Sequence, residues 1–342
     1  MSTATCPACH AECTAPALRR FTAEEAAQHF VLREEFSQAH AELLPHIRAL
    51  WGANHCDLRG CAACGLQFAW PFVAGDGRFY NLAYPYSDYP SERWEFDETL
   101  AALARTPLTE GPVLEIGSGF GYFLRKLSPR FVPREQVLAI EYNDSARAQI
   151  VAQGFGARGV DLRDREFDAW RGRLAAVFMF QVLEHMDGLD ALVTRLNELL
   201  QPGASLFIAV PNIERISHNE AHGSLLDMPP NHISRWTEAA FAALAARAGW
   251  TLHEFRRQPL RWGQFAKADL VFAHMRRAQQ SGSLANRLRS RRRSRLRVAA
   301  EGLLAVAAVP SRLPGWRVAA ARKDVLGDSV WVHLKKNQGA AP

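Results

Sequence analysis

The chain has 342 residues, of which 48% are hydrophobic and 22% are charged. A chain of this length and composition can bury one α/β core and still carry a further module. No apolar run approaches the roughly 20 residues that a membrane-spanning helix needs. Residues 1–14 also lack the basic segment and apolar stretch of a signal peptide. We therefore expect a cytoplasmic protein that does not cross a membrane.

The formal net charge of +6 is concentrated in one segment. Residues 286–297 contain seven arginines and no acidic residue, whereas the rest of the chain is close to neutral. Such a run suits a solvated insertion, docking on anionic lipid, or contact with RNA phosphates. Because residues 281–309 contain no aromatic side chain to stack on bases, we favour peripheral membrane contact through 286–309 over a nucleic acid partner.

Two Cys-x-x-Cys pairs lie near the start of the chain, Cys6 with Cys9 and Cys61 with Cys64. Two thiolates at this spacing can reach one tetrahedral zinc ion, so paired motifs predict a structural zinc site. Thr22 and Glu25 form a capping box, which predicts a helical insertion between the pairs. Free thiols or a redox pair are the alternatives. The spare donors are Cys13, Cys56, His10 and His55.

Between residues 96 and 258, short apolar runs alternate with segments of helical spacing, a pattern typical of βαβ units and a parallel sheet. The runs are 113–116, 137–140, 175–180 and 205–210. Helices are expected over 145–153 capped by Asp144, over 189–200, and over 238–248 capped by Thr237. Residues 250–255 and 329–334 are expected as late strands.

The run 113–116 leads directly into three glycines at alternate positions, Gly117, Gly119 and Gly121. A strand, a tight glycine turn and a helix start in this order let the backbone approach a ligand closely. Dinucleotide-binding enzymes share this beginning, but they space their glycines differently. Glu115, two residues before the first glycine, suits a cationic ligand better than phosphates. Glu141 ends the second strand, where a carboxylate can accept hydrogen bonds from ribose hydroxyls.

The fourth strand ends in Val182-Leu-Glu-His185, and Leu199-Leu-Gln-Pro-Gly203 leads the fifth. Here the chain resembles the class I S-adenosylmethionine-dependent methyltransferases. The resemblance implies an α/β, Rossmann-like seven-stranded sheet, with an N-terminal zinc-ribbon-like head and a basic helical insertion near the C-terminus. It also implies a glycine loop around the methionine part of S-adenosylmethionine, Glu141 at the ribose and Asp161 at the adenine, with Asp164 as the alternative. The cofactor-binding candidates are Glu115, Gly117, Ser118, Gly119, Gly121, Glu141, Asp161 and Gln181.

Three regions follow from this interpretation. Residues 1–95 form the zinc-binding head with its helical insertion, and 96–258 form the core that binds S-adenosylmethionine. Residues 259–342 form a basic helical insertion or cap together with the final strand of the core, at about 329–335.

Transfer of a methyl group to a hydroxyl requires a base, and histidine is the usual one near neutral pH. His185 follows the fourth strand. His232 lies in Pro229-Pro-Asn-His-Ile-Ser-Arg-Trp236, which resembles a segment that covers the active site in related methyltransferases. We prefer His232 as the base and keep His185 as the second candidate.

The residues Cys64-Gly-Leu-Gln67 and the segment 84–89 resemble the zinc-binding head of methyltransferases in deoxysugar and polysaccharide pathways. We therefore expect methylation of a small molecule or of a sugar or glycan intermediate, most simply at oxygen. A zinc-ribbon RNA methyltransferase is one alternative. A methyltransferase-like protein that binds nucleoside or partner proteins without turnover is the other.

Overall fold

A computed structural model describes residues 3–84, 89–222, 224–280, 282–289 and 295–339. These residues form two compact units. The first contains the described residues of 1–211, 228–256 and 329–342, and the second contains those of 212–227 and 257–328. The cysteine-bearing head thus clusters with the sheet, and residues 212–227 cluster with the later helices.

The strands of the described residues are β1 (Ala4–Thr5), β2 (Glu12–Cys13), β3 (Arg19–Thr22), β4 (His55–Gly60), β5 (Gln67–Trp70), β6 (Val113–Ile116), β7 (Val137–Ile140), β8 (Gly156–Arg158), β9 (Leu174–Phe180), β10 (Leu200–Pro211), β11 (Ser234–Arg235), β12 (Trp250–Arg257) and β13 (Ser329–Lys336). The α-helices are α1 (Ala23–Phe30), α2 (Ser37–Trp51), α3 (Gly77–Ala83), α4 (Trp94–Arg105), α5 (Tyr122–Leu127), α6 (Asp144–Ala152), α7 (Leu189–Leu199), α8 (Ile213–Ala221), α9 (Glu238–Ala248), α10 (Trp262–Gln279), α11 (Leu284–Arg289), α12 (Arg295–Ala307) and α13 (Val309–Ala321). Short 3₁₀ helices cover Arg134–Gln136, Arg165–Trp170 and Leu183–His185.

A seven-stranded sheet with the order β8-β7-β6-β9-β10-β13-β12 forms the centre of the first unit. Strands β6 to β10 pair in parallel, and β13 runs antiparallel to β10. From β6 the chain moves outward through β7 to β8, then returns to the other side of β6 at β9. Ligands of such sheets bind at the carboxyl ends of the strands where the order reverses. A ligand-binding site is therefore expected in the crevice beyond the carboxyl ends of β6 and β9.

The central strands are apolar because helices cover both faces of the sheet. Every residue of β6, β7 and β9 is buried. Leu114 and Met179 belong to the core on one face, whereas Phe123 and Phe178 belong to the core on the other. The two cores hold the strand ends of the crevice at fixed positions.

The strands expected over 113–116 and 137–140 are confirmed with the same bounds, and those over 175–180, 250–255 and 329–334 are confirmed with one or two added residues. Strand β10 begins at Leu200, five residues before the expected start, so Leu200 belongs to the strand and not to the preceding helix. The helix over 238–248 is also confirmed, with the Thr237 side chain accepting from the Ala240 N–H at 3.0 Å. The cap at Asp144 was wrong. Asn143 caps α6 by accepting from the Ala146 N–H, and Asp144 is its first helical residue.

The head contains a second sheet with the order β11-β5-β4-β3. Its strand β11 comes from the segment that carries His232, and it pairs with β5 through Ser234 opposite Phe68 and Arg235 opposite Gln67. The insertion between the cysteine pairs contains the predicted helical stretch, α1 and α2, flanked by β3 and β4. Thr22 caps α1 by accepting from the Glu25 N–H at 3.1 Å, as the capping box predicted. The head and the core thus share one sheet.

The second unit consists of α8 and α10 to α13. Its small apolar core contains Phe265, Ala319 and Leu326. Asp269 is buried in this unit, where it forms an ion pair with Arg312 and accepts from the Trp316 Nε1–H at 2.7 Å. In the described part of the chain, no helix combines the length and apolar character needed to cross a membrane.

Candidate active site

The glycine loop joins β6 to α5 at the strand-order reversal. Gly117, Gly119 and Gly121 have φ values of 73°, 52° and 72°, which lie in the left-handed region that favours glycine. A Cβ atom at Gly117 would lie only 2.5 Å from the Cγ2 atom of Val182. Ser118 stabilises the turn by donating its hydroxyl to the Glu115 carbonyl at 3.0 Å. The sequence needs glycine here because the backbone bends sharply against the end of β9.

Glu115 lies beneath this loop with only 3% of its surface exposed. Its Oε2 atom has no hydrogen-bond partner among the residues that the structure describes. Burial raises the pKa of this carboxyl well above its usual range, nearby Glu141 raises it further, and Arg93 opposes the shift. An unpaired buried carboxylate oxygen is costly, so this position fits a ligand that brings a positive charge.

Glu141 directly follows β7 and faces the same loop. Its Oε2 accepts from the Gly119 N–H at 2.7 Å, and its Oε1 accepts from the Asn143 N–H at 2.9 Å. Burial raises the pKa of this carboxyl, although these hydrogen bonds act in the opposite direction. Each carboxylate oxygen has a second lone pair, so both can also accept a hydroxyl. This arrangement suits the two hydroxyls of a ribose.

The two aspartates after β8 have different environments. Asp161 accepts from the backbone N–H and the Nε–H of Arg163 at 2.8 and 2.6 Å, and from the Tyr142 hydroxyl at 3.3 Å. Asp164 instead caps a 3₁₀ helix by accepting from the Glu166 N–H at 2.9 Å. Asp161 is thus bonded to Tyr142, the neighbour of the ribose-side carboxylate, whereas Asp164 has a local structural role.

Gln181 directly follows β9 and has a φ of 59°, a left-handed conformation that is uncommon outside glycine. Its side-chain amide donates to Glu95 Oε1 and to Ser329 Oγ, each at 3.2 Å. Strained backbone of this kind is frequent at binding sites. Neither Glu95 nor Arg93 carried a sequence motif, so sequence reasoning missed both.

The two candidate base residues lie side by side. The rings of His185 and His232 have centroids 4.6 Å apart at an interplanar angle of 72°. The Nδ1 atom of His185 lies 2.7 Å from the Asn231 carbonyl oxygen and 3.0 Å from the Tyr80 hydroxyl oxygen. Its Nε2 atom lies 3.8 Å from Oε1 of the buried Glu184. Tyr80 comes from the head and was not expected here.

Glu184, His185 and His232 place one ligand atom each within 4.8 Å of one another, so they could also hold a cation. The imidazole and carboxylate groups of this set are ligands for several divalent metals. The cluster therefore has two chemical capacities, proton transfer and metal coordination, at the carboxyl edge of the sheet.

The comparisons with known proteins agree with this geometry. Residues 91–254, from α4 through most of β12, match the family described as a methyltransferase domain. Residues 91–254 thus form an S-adenosylmethionine-dependent methyltransferase domain of class I. The order of its central sheet and its glycine loop belong to this methyltransferase fold.

Several solved structures are similar to the methyltransferase. One is a SAM-dependent methyltransferase from Archaeoglobus fulgidus, with 13% identity, 76% of this chain and 100% of that chain covered, and a TM-score of 0.43. Another is a phosphoethanolamine N-methyltransferase from Haemonchus contortus in complex with S-adenosyl-L-methionine, with 17% identity, 80% and 62% coverage, and a TM-score of 0.45. A third is a putative methyltransferase complex with the Trm112 activator from Haloferax volcanii, with 16% identity, 72% and 90% coverage, and a TM-score of 0.43. None of the curated proteins compared with the chain matches its sequence.

The head of the methyltransferase brings four thiols together, those of Cys6, Cys9, Cys61 and Cys64, all within 4.8 Å of one another. The Sγ atoms of Cys6 and Cys64 are 3.7 Å apart, and those of Cys9 and Cys61 are 3.5 Å apart. A tetrahedral zinc ion with bonds of about 2.3 Å separates its sulfur ligands by about 3.8 Å. The spacing fits a metal and is far too long for a disulfide.

The two cysteine motifs share one backbone geometry. His10 donates its N–H to the Cys6 carbonyl at 2.9 Å, and Gly65 donates to the Cys61 carbonyl at 2.8 Å. Both residues follow the second cysteine of their motif and have left-handed φ values of 62° and 75°. The two turns therefore present their thiols in the same way, as two halves of one site. The spare donor His10 instead pairs with Asp190 at 3.0 Å.

Proposed function

We propose that the methyltransferase transfers a methyl group to a hydroxyl oxygen of a small molecule or of a sugar or glycan intermediate. The observation that carries the proposal is the pair of histidines beside the cofactor crevice. A hydroxyl loses its proton when it takes up a methyl group, so a base must lie close to it. Bound S-adenosylmethionine supplies a methyl carbon made electrophilic by its sulfonium charge.

The hydrogen bonds of His185 support it as the base. The Asn231 carbonyl oxygen can only accept, so the Nδ1 atom 2.7 Å away carries the proton of the neutral ring. This leaves the lone pair on Nε2, which is the atom able to remove a proton. After proton transfer, the nearby Glu184 carboxyl group would stabilise the positive ring. In this proposal His232 orients the acceptor. It acts as the general base instead if the acceptor hydroxyl lies nearer to His232 than to His185.

The residues around the loop fit S-adenosylmethionine part by part. The unpaired oxygen of Glu115 suits the ammonium group of the methionine portion, the left-handed glycines let that portion lie against the backbone, and Glu141 suits the ribose. Asp161, beside the exposed Tyr142, suits the adenine edge. These four assignments are one proposal, since a single ligand must satisfy all of them.

The four-cysteine cluster is proposed to hold a structural zinc ion that positions the acceptor side of the site. The second cysteine motif leads directly into β5, which pairs with β11 next to His232. The Thr237 hydroxyl also donates to the Cys64 carbonyl at 2.7 Å. Loss of the metal would thus displace the loop that carries His232. The free thiols of the chain also support a reducing, cytoplasmic location.

The sugar or glycan acceptor rests on the likeness of the head to methyltransferases of those pathways. Of the segment 84–89, which contributes to this likeness, residues 85–88 lie outside the described residues. An RNA acceptor is the less favoured alternative, because no aromatic residue interrupts the basic run.

The decisive experiment is transfer of labelled methyl from S-adenosylmethionine to fractionated cell extract. We expect label in the small-molecule or glycan fraction, bound through an ether that resists mild base. Label in RNA, or label lost as a volatile product after mild base, would contradict the oxygen-on-glycan proposal. Adding Mg²⁺ or Mn²⁺ to zinc-loaded protein separates the two capacities of the histidine cluster. If turnover requires the added ion, the histidine cluster acts as a metal site and not as a general base.

A further inference from the structure

An apolar stripe, made of exposed residues of α12 and α13, lies in the second unit. Its large members on α12 are Leu296, Leu303 and Val306, which are 84%, 72% and 66% exposed. They lie at positions i, i+7 and i+10, which share one face of a helix. Small exposed residues lie on the same face, namely Ala299, Gly302 and Ala307, and Pro310 is exposed at the start of α13.

The stripe continues on α13 with Leu313 and Val318, which are 48% and 63% exposed. Single exposed leucines are common on soluble proteins, but several exposed apolar side chains on one helix face, as on α12, indicate an interaction surface. Nothing in the small core of this unit requires these side chains, since that core is formed by other residues, among them Phe265 and Leu326.

A basic cavity lies between α10 and α13. It has a volume of about 460 Å³ and is lined by Ala273, Arg276, Arg277, Gln280, Ser311 and Arg312. The last two residues lie on α13 directly between Pro310 and Leu313, which belong to the stripe. Neither Arg276 nor Arg277 forms an ion pair with any residue that the structure describes. The cavity therefore offers cationic groups with no competing carboxylate beyond Asp269.

The charge around the stripe has one sign. Between Asp269 and Asp324, Glu301 is the only acidic residue, and it pairs with Arg297 at 2.9 Å. Residues 290–294 of the arginine run lie outside the described residues, but their sequence adds three arginines to the same region. An apolar helix face bordered by arginine suits the boundary between acyl chains and anionic headgroups.

We propose that this unit docks on the surface of an anionic phospholipid bilayer. The stripe of α12 and α13 enters the acyl boundary, and Arg276 and Arg277 in the cavity receive a headgroup phosphate. A second copy of the chain is a poorer occupant, because pairing two such faces would bring like charges together. RNA would leave the apolar stripe in water.

The test is flotation of the full-length, zinc-loaded protein with vesicles of phosphatidylcholine alone or mixed with phosphatidylglycerol. We expect recovery with the mixed vesicles only, and a decrease when salt is raised. The double variant Leu303→Glu, Val306→Glu should lower the apparent partition coefficient at least roughly tenfold, since it removes two apolar anchors. The double variant Arg276→Glu, Arg277→Glu should lower it to a similar extent.

The matched controls are Val151→Glu, an exposed valine of the first unit, and Arg33→Glu, an exposed arginine there. Both should float like the wild type. Binding of S-adenosylmethionine, measured by calorimetry, and the circular dichroism spectrum show whether each variant is folded. Equal flotation of the Leu303 and Val306 variant, equal recovery with neutral vesicles, or a dimer in sedimentation velocity that the variant abolishes would overturn the proposal.

Discussion

The two units of the methyltransferase use their side chains in opposite ways. The first unit buries its apolar residues around a sheet and places charged groups such as Glu115 and Glu141 inside. The second unit contains about a quarter of the chain, yet ten of the fifteen exposed large apolar side chains among the described residues belong to it. The first unit therefore has its candidate functional groups in a crevice, whereas the second unit has exposed apolar side chains on its surface.

Substitutions in the two units should therefore have different effects. Changes in the first unit should alter cofactor binding, turnover or zinc content whether or not a membrane is present. Changes on the surface of the second unit should alter membrane recovery and leave cofactor binding unchanged. A substitution in one unit that changed the properties assigned to the other unit would contradict this division.

The largest effect is expected for Cys61→Ser. Structural zinc sites contribute about 10–16 kcal/mol in small zinc domains, so losing one ligand should release most of this stabilisation from the head. We expect less than one zinc per chain by mass spectrometry of the native protein, a lower melting temperature and loss of turnover. The control is Cys56→Ala, which removes a buried thiol outside the cluster. Full zinc content in Cys61→Ser would contradict the four-cysteine site.

The next effect is on turnover. His185→Gln should lower kcat by about 10²- to 10⁴-fold, the range for loss of a general base, and leave the Kd for S-adenosylmethionine unchanged. The measurement is steady-state kinetics with the acceptor found by labelling, together with calorimetry. His40→Gln, on α2 far along the chain, is the control. A larger loss in His232→Gln than in His185→Gln would move the base to His232.

Asp269→Asn tests whether the second unit folds by itself. Removing the charge from this buried carboxylate leaves Arg312 without its ion pair, which typically costs about 3–5 kcal/mol. We expect the second unit to unfold at a lower temperature and the protein to lose its recovery with vesicles, whereas binding of S-adenosylmethionine is unchanged. Loss of S-adenosylmethionine affinity in this variant would show that the two units depend on each other.

The same ion pair gives a pH dependence with a definite sign. Burial alone would raise the pKa of Asp269, but hydrogen bonds from Arg312 and Trp316 outweigh it and lower the pKa. A lowered folded-state pKa stabilises the fold above the usual aspartate value of about 3.9, and this stabilisation is lost as pH falls through the lowered value. In Asp269→Asn, the acid sensitivity of the second unit should therefore be weaker than in the wild type.

The sequence predicted the sheet well and the site in part, for physical reasons. Strands β6, β7 and β9 are buried on both faces, so they stand out as apolar runs, and the glycine spacing reports a backbone conformation directly. Strand β8, the third of the sheet along the chain, could not be given bounds because Gly156-Ala-Arg158 is a short edge strand without an apolar pattern. Tyr80 was missed because its contact with His185 joins residues 105 positions apart, and no local pattern reports such a contact.

The exposure of the stripe on α12 and α13 could not be predicted from the sequence. Residues 302–309 read as an apolar run in the sequence, which is compatible with a buried helix as well as with a surface one. Only the fold shows that Leu303 and Val306 face solvent, because burial depends on which other elements pack against a helix. The arginine run in the sequence predicted a positively charged segment, whereas the exposed apolar helix face is visible only in the structure.

The smallest predicted effect concerns the proton on Glu115. Burial raises the pKa of this carboxyl and so extends its protonated form to higher pH, whereas the ammonium group of S-adenosylmethionine favours the ionised form. Binding should therefore release protons and become tighter as pH rises through the raised pKa. Calorimetry in two buffers with different ionisation heats measures this release. Glu115→Gln should abolish most of it and weaken binding by about 10- to 100-fold, the range for a hydrogen bond to a charged group. Glu141 has a raised pKa as well, so proton release that persists in Glu115→Gln and disappears in Glu141→Gln would assign the proton to the ribose side and remove Glu115 from the ammonium site.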